Sequence, residues 1–168
     1  MIKVNYFTMM PTFAFAISST VPITVPIPEV AASTTSLTPP ALARLLVRLT
    51  VRDWSDTILD CCCGTGTIPK EAIQIKKSQM SAKEAVESVW ACDKNNYPLQ
   101  VANISMTDSD TINIANRLFQ HNALTLRVGE KISITNPETG DIMSLSLPAF
   151  GAVVSNLPFV AFEIIPNI

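Results

Sequence analysis

Apolar positions change their spacing several times along the chain, and each change marks an element. Leu42, Leu45, Leu46 and Leu49 recur at i, i+3, i+4 and i+7, with Arg44, Arg48 and Arg52 on other faces, which predicts an amphipathic helix. Thr38-Pro39-Pro40 opens it, with Thr38 expected at the N-cap and Pro39 at the first helical position, where a missing N–H costs nothing. A short buried strand, Thr57 to Asp60, runs into Cys61-Cys62-Cys63-Gly64-Thr65-Gly66-Thr67, and a helix follows from near Ile68 to about Lys77. Ser81 and Glu84 form a capping box for a second short helix reaching about Ser88. The strand Val89 to Cys92 ends at Asp93, helical spacing returns from Tyr97 to Met106, and a third strand is expected around Leu118 to His121. Lys131 to Leu147 alternates on both sides of Asn136-Pro137-Glu138-Thr139-Gly140-Asp141, which predicts an inserted β-hairpin. Gly151 to Ser155 reads as a fourth buried strand, and it runs into Asn156-Leu157-Pro158-Phe159.

Strands separated by helices predict an α/β fold, a parallel sheet with right-handed crossovers. Ligands of such sheets bind beyond the carboxyl ends of the strands, near the reversal of strand order. Residues 1–35 carry Pro, Ser, Thr and Ala without a sustained helical period, and are expected as an edge strand or lead-in segment before a domain over 36–168. The stretch from Lys3 through Ile17 loosely imitates a signal peptide, but it has one early positive charge and Pro11 inside its apolar part.

Composition narrows the classes. With 168 residues, 48% apolar and 15% charged, the chain supports one domain with a real core. A net charge of −2 excludes a basic arm that holds nucleic acid by charge alone. The single histidine, His121, argues against a His-rich metal centre and a histidine-based triad. No apolar run reaches the ~18 residues that a membrane span needs. Cys61, Cys62, Cys63 and Cys92 have neither a disulfide framework nor C-x-x-C spacing, so a reduced, cytoplasmic protein without a bound metal is expected, the cysteines serving as small packing groups beside a ligand.

Gly64 and Gly66 lie between a strand and a helix, where backbone must turn sharply and lie against a ligand. The following helix offers its N-terminal N–H groups to a carboxylate or phosphate. Asp93, at the next strand end, is placed to accept from ribose hydroxyls, and together these features predict nucleoside binding. A dinucleotide fingerprint would need a third glycine where Pro69 stands.

Asp60-Cys61-Cys62-Cys63-Gly64-Thr65-Gly66 resembles the D-P-x-x-G-x-G loop of class I S-adenosylmethionine-dependent methyltransferases of the adenine amino-methylating type, with Cys61 where that family usually has proline. Asn156-Leu157-Pro158-Phe159 resembles their [N/D/S]-P-P-[Y/F] motif, Ser36-Leu37-Thr38-Pro39-Pro40 the T-P segment of type I restriction-modification methylases, and Asn122-Ala123-Leu124 the [D/N]-A-[LF] segment beside the cofactor's adenine. The resemblance implies a Rossmann-like sheet with helices on both faces and S-adenosyl-L-methionine as cofactor. It implies cofactor contacts from Thr38, Pro39, Asp60, Cys61, Gly64, Thr65, Gly66, Asp93, Asn122 and Ala123. Asp60 would help organise the methionine end and Asp93 would hold the ribose.

At the other motif, an exocyclic amine is a poor nucleophile because its lone pair is delocalised into the ring. The Asn156 side-chain oxygen and the Leu157 carbonyl, both accepting from the amine, would favour the attacking geometry. Pro158 would restrain the turn, and Phe159 would offer a ring for an extruded base. The expected activity is methylation of adenine in DNA. Methylation of RNA is the alternative, because Gly64-Thr65-Gly66-Thr67-Ile68 with Glu71-Ala72 also resembles RNA guanine-N2 and adenine methylases. An inactive cofactor-binding remnant or partner subunit is the third reading. Compared with the usual seven-stranded sheet the later strands are missing, which predicts a truncated or split protein, a separate C-terminal half or specificity subunit, and an exposed edge on the fourth strand.

Overall fold

The computed structural model describes residues 15–18, 21–23 and 37–157. Among these residues eight strands and four α-helices run in the order β1 (Phe15–Ser18), β2 (Val21–Ile23), α1 (Pro40–Thr50), β3 (Ile58–Asp60), α2 (Thr67–Lys76), α3 (Ala82–Glu87), β4 (Val89–Asp93), α4 (Asn96–Met106), β5 (Arg117–Gln120), β6 (Lys131–Thr135), β7 (Ile142–Ser146) and β8 (Ala152–Ser155). Six strands form one sheet in the order β2-β1-β8-β3-β4-β5, in which β8, β3, β4 and β5 are mutually parallel. The chain therefore moves outward from β3 to β5 and returns to the other side of β3 as β8. The order reverses between β3 and β8, where an open α/β sheet leaves a crevice at its carboxyl end.

The expected exposed edge on the fourth strand does not exist. β8 is paired on its outer side by β1, antiparallel, with Phe15 opposite Ser155 and Ser18 opposite Ala152, and β2 continues the hairpin outward. The lead-in segment thus supplies the cover that the sequence reading assigned to missing strands.

Side chains alternate across the sheet, as period-two strands must. Ile58, Val89, Ala152 and Val154 point into a cluster with α1, α2 and α4. Leu59, Trp90, Cys92 and Phe119 point the other way, where Ile132, Ile134 and Leu147 from the β6–β7 segment cover them. The fold class is as expected. Among the described residues, however, all four helices lie on one face and the antiparallel hairpin takes the second. Trp90 is the centre of that second layer, with Phe119 and Phe150 edge-on at 6.4 and 6.2 Å between ring centroids and the Arg117 guanidinium over its ring.

Two local expectations shift by one residue. Pro39 occupies the N-cap position of α1 and Pro40 the first turn, so Thr38 is not the cap; its hydroxyl is engaged elsewhere. The buried stripe of α1 is Ala43, Leu46, Val47 and Thr50; of the expected leucines Leu46 is buried and Leu42 packs against the same cluster, while Leu45 turns out, 44% exposed. Both stripes obey the helical period. Ala43 and Thr50 join Leu46 and Val47 on the inner face, where α1 packs on α2 and β8. The capping box of α3 forms as expected, with Ser81 and Glu84 exchanging side-chain and backbone hydrogen bonds. Pro98 falls in the first turn of α4, where its missing N–H is no loss. Among the described residues no helix is long and apolar enough to cross a membrane.

Lys76 closes the helical layer. It is fully buried at the end of α2, and its ammonium donates to the carbonyls of Trp54 and Asp56 at 2.7 and 2.6 Å, fixing the approach to β3. Burial pushes its pKa below the usual lysine value. Lys76→Met should keep the packing volume but strand two carbonyls, costing about 2–4 kcal/mol in urea unfolding. An unchanged urea midpoint would contradict this role.

Candidate functional site at the carboxyl rim of the sheet

The loop from Asp60 to Gly66 leaves β3 at the reversal point and is fixed from three sides. Beneath it, Asp60 is fully buried, and its Oδ1 accepts from the Ser155 hydroxyl at 2.7 Å and from the Cys62 amide at 3.2 Å. The Cys62 amide also reaches Ser155 Oγ at 3.2 Å. Toward β4, the Gly64 amide donates to Asp93 Oδ2 at 3.1 Å and the Cys63 amide to the Cys92 carbonyl at 2.9 Å. From α4, the Ser105 hydroxyl donates to the Thr65 carbonyl at 2.7 Å.

The two glycines divide their labour. Gly66, at φ +85°, caps α2, and a Cβ there would meet Ala102 and Ser105 at 3.0 Å, so this glycine is needed for packing on α4. Gly64, at φ +52°, has no heavy atom within 4 Å of where a Cβ would stand, so open space lies beside the loop. That space adjoins Asp93, which is half-buried and aimed by two backbone amides, those of Gly64 and Asn95. Each carboxylate oxygen keeps acceptor capacity for a further donor.

The second segment arrives from β8. Ser155 is welded to Asp60, and the next residue, Asn156, donates its amide Nδ2 to Thr38 Oγ1 at 3.0 Å. Residues 118 positions apart thereby meet, and the T-P segment, the cysteine-glycine loop and the Asn156 segment share one rim. Pro39 is exposed beside Thr38, and Leu157 is 41% exposed. Pro158 and Phe159 lie outside the described residues.

The rim continues to β5, where the His121 amide donates to the Asp93 carbonyl at 3.0 Å. Asn122 uses its side-chain oxygen to cap the 3-10 turn Ala123–Thr125, accepting from the Leu124 amide at 3.1 Å, and Ala123 begins that turn half-buried. His121 bonds Glu130 at 2.8 Å and packs edge-on to Phe119, a surface contact.

Burial and short-range hydrogen bonding share the electrostatics. Burial pushes the Asp60 carboxyl up to about 7, against the lowering effect of the Ser155 and Cys62 hydrogen bonds. Cys61 is held down at about 7, chiefly by a hydrogen bond from the Cys62 thiol, whose own pKa rises for the same reason. Cys63 and Cys92 are raised by burial. Cys61 also accepts from the Cys92 thiol through its carbonyl at 3.4 Å.

A family model described as UPF0020, RMKL-like, methyltransferase domain matches residues 30–161. The chain belongs to this family. Searches of curated proteins and of solved structures give no match. An RMKL-like methyltransferase domain is therefore what carries the rim described above, and family domains of this kind generally use S-adenosylmethionine. Motif reading missed Ser155, Cys62, Asn95 and Ser105, the partners that fix the site residues. Ser155 had one signal: a polar residue ending the otherwise apolar run Ala152-Val153-Val154.

The raised Asp60 pKa has a sign that can be checked. Between about pH 4 and pH 7 the folded state keeps a proton that the unfolded chain releases, so stability falls as pH rises through that window. Asp60→Asn keeps an acceptor for Ser155 and Cys62 and cannot ionise. Thermal melts should show the variant gaining on the wild type between pH 5 and pH 8; a constant difference would contradict a buried, proton-holding Asp60.

Proposed function

We propose that this domain transfers a methyl group from S-adenosylmethionine to the exocyclic amine of a nucleic-acid base. The observation that carries the reading is the Asn156–Thr38 hydrogen bond. A primary amide has donors only on nitrogen and acceptor lone pairs only on oxygen. With Nδ2 committed to Thr38, the Asn156 oxygen is the end left to accept, which is the polarity an attacking amine requires. The Leu157 carbonyl adds a second acceptor from a backbone already half out of the sheet.

On the cofactor side, the open space beside Gly64 and the twice-aimed Asp93 suit a nucleoside with a vicinal diol. The bound cofactor supplies an electrophilic methyl on a sulfonium. The chain's own residues orient: Asp93 would take the ribose hydroxyls, Gly64 would let the backbone approach, and the neighbouring Asn122-Ala123 turn would border the adenine. Asp60, being buried, acts on this site through Ser155 and Cys62 and does not itself touch a ligand. Thr38 is a positioning residue for Asn156.

For the target, the order of motifs supports adenine in DNA. The family match supports RNA as a second reading, since the RMKL-like family includes RNA methyltransferases. The test is transfer of labelled methyl to DNA and RNA, with the product base identified by nucleoside mass spectrometry. Label on an exocyclic amine is expected. Cofactor binding without transfer to either polymer would instead support an inactive remnant, and label on a ring carbon would contradict the Asn156 chemistry.

Asn156→Ala should lower kcat by roughly 10²–10³, the usual effect of removing one polar group aimed at the reacting centre, with cofactor affinity little changed. Thr38→Val should cost about tenfold in kcat, the equivalent of one ordinary hydrogen bond, by letting the Asn156 amide turn. Full activity in either variant would contradict the assigned polarity.

A further inference from the structure

The sheet has a second feature that the methyl-transfer site does not use. β5 closes the sheet on the side away from β8, and among the described residues no strand pairs its outer edge. In a parallel ladder alternate residues bond to opposite sides. Because the His121 amide bonds inward to Asp93, the backbone groups of Leu118 and Gln120 turn outward. They open into a groove of about 320 Å³ walled by α4 (Asn96, Gln100, Asn103) on one side and by β6 (Ser133, Thr135) on the other.

We propose that this groove is a docking site for an extended, uncharged peptide segment of a partner protein, which adds to β5 as a further strand. Three observations support that occupant. First, the ladder parity turns the backbone N–H and C=O groups of Leu118 and Gln120 toward the groove in strand geometry, which another strand satisfies with the right spacing. Second, none of the eleven lining residues is ionisable; the polar ones carry amides or hydroxyls, so a charged occupant would lose hydration without a counter-charge. Third, the row of α4 next to the groove is apolar and exposed, with Tyr97 at 77%, Val101 at 37% and Ile104 at 77%. Such a stripe fits the body of a protein behind the docked strand better than it fits a small ligand. A second copy of this chain is disfavoured by shape, since its own β5 edge is sunk between the same two walls.

The end of the groove is firm. The Asn116 side-chain amide donates to the Asn103 carbonyl and side-chain oxygen and to the Thr107 hydroxyl at 2.9–3.3 Å, joining the start of β5 to α4. Gln100 and Thr135, by contrast, are exposed and make no such ties, so either can be enlarged without disturbing the fold.

The test selects displayed random peptides on the whole chain and counter-selects on Gln100→Trp and, separately, Thr135→Trp. Unchanged melting temperatures establish that both variants fold. Expected are uncharged, strand-forming sequences that bind the wild type at least tenfold more tightly than either variant. They should protect the Leu118 and Gln120 amides from hydrogen exchange. Several outcomes would overturn the proposal: no enrichment over the variants, enrichment of charged sequences, binding without protection at Leu118 and Gln120, or protection of those amides before any peptide is added. Displacement of selected peptides by adenosine or single-stranded RNA would reassign the groove to nucleic acid. Methyl transfer is measured in parallel, and its loss or retention in the two variants leaves the peptide result independent of the catalytic reading.

Discussion

The hydrogen bond between Ser155 and the buried Asp60 holds the candidate site together. It crosses the place where strand order reverses, and it joins the end of β8 to the loop that leaves β3. Beyond the backbone ladder of two short strands, only this bond and the Cys62 amide on the same Ser155 hydroxyl are seen to tie the cysteine-glycine loop to the end of β8. A buried carboxyl in this position is costly unless it stays neutral or is well bonded. Asp60 meets both conditions, with a proton held to about pH 7 and two donors on one oxygen. The second contact of the same kind, Asn156 to Thr38, draws in the segment that precedes α1. Three distant stretches are thus joined by side-chain hydrogen bonds at one rim.

The glycine positions show how the same residue type serves two needs within three residues. Gly66 lets α4 come within contact of the loop and fixes the start of α2, while Gly64 leaves space open beside Asp93. Packing from below and vacancy above are both required for a loop that must be rigid and yet be approached. The cysteines fit this arrangement as compact side chains. Cys63 and Cys92 fill the core under the loop, and Cys61 and Cys62 face each other at its rim.

Much of this was legible in the sequence because local chemistry and global fold agree. Asp60, Gly64, Gly66 and Asp93 were readable from strand, loop and strand end, and the capping box at Ser81 from two residues alone. Three things were not readable. The buried face of α1 depended on how near α2 and β8 come, which the helical period does not encode. The role of Thr38 depended on Asn156, which is far away in the chain. An edge strand was an expectation for the lead-in segment, but the pairing of Phe15–Ser18 on β8 depended on a tertiary register that local pattern does not announce. The hairpin was recognised from its alternation, but its work as the second cover of the sheet follows from Trp90 and Phe119 needing a lid, which appears only in three dimensions.

On the proposed reading, methyl-donor and target-amine chemistry share the rim made by Asp60, Ser155, Asn156 and the glycine loop. The most direct measurement is a titration of the chain with S-adenosylhomocysteine, followed by backbone and Asn side-chain amide resonances. One saturable transition is expected, moving Cys62, Gly64, Asn95 and the Asn156 side chain together. Saturable binding that leaves Asn156 and the loop amides unmoved, or no binding at all, would contradict the account.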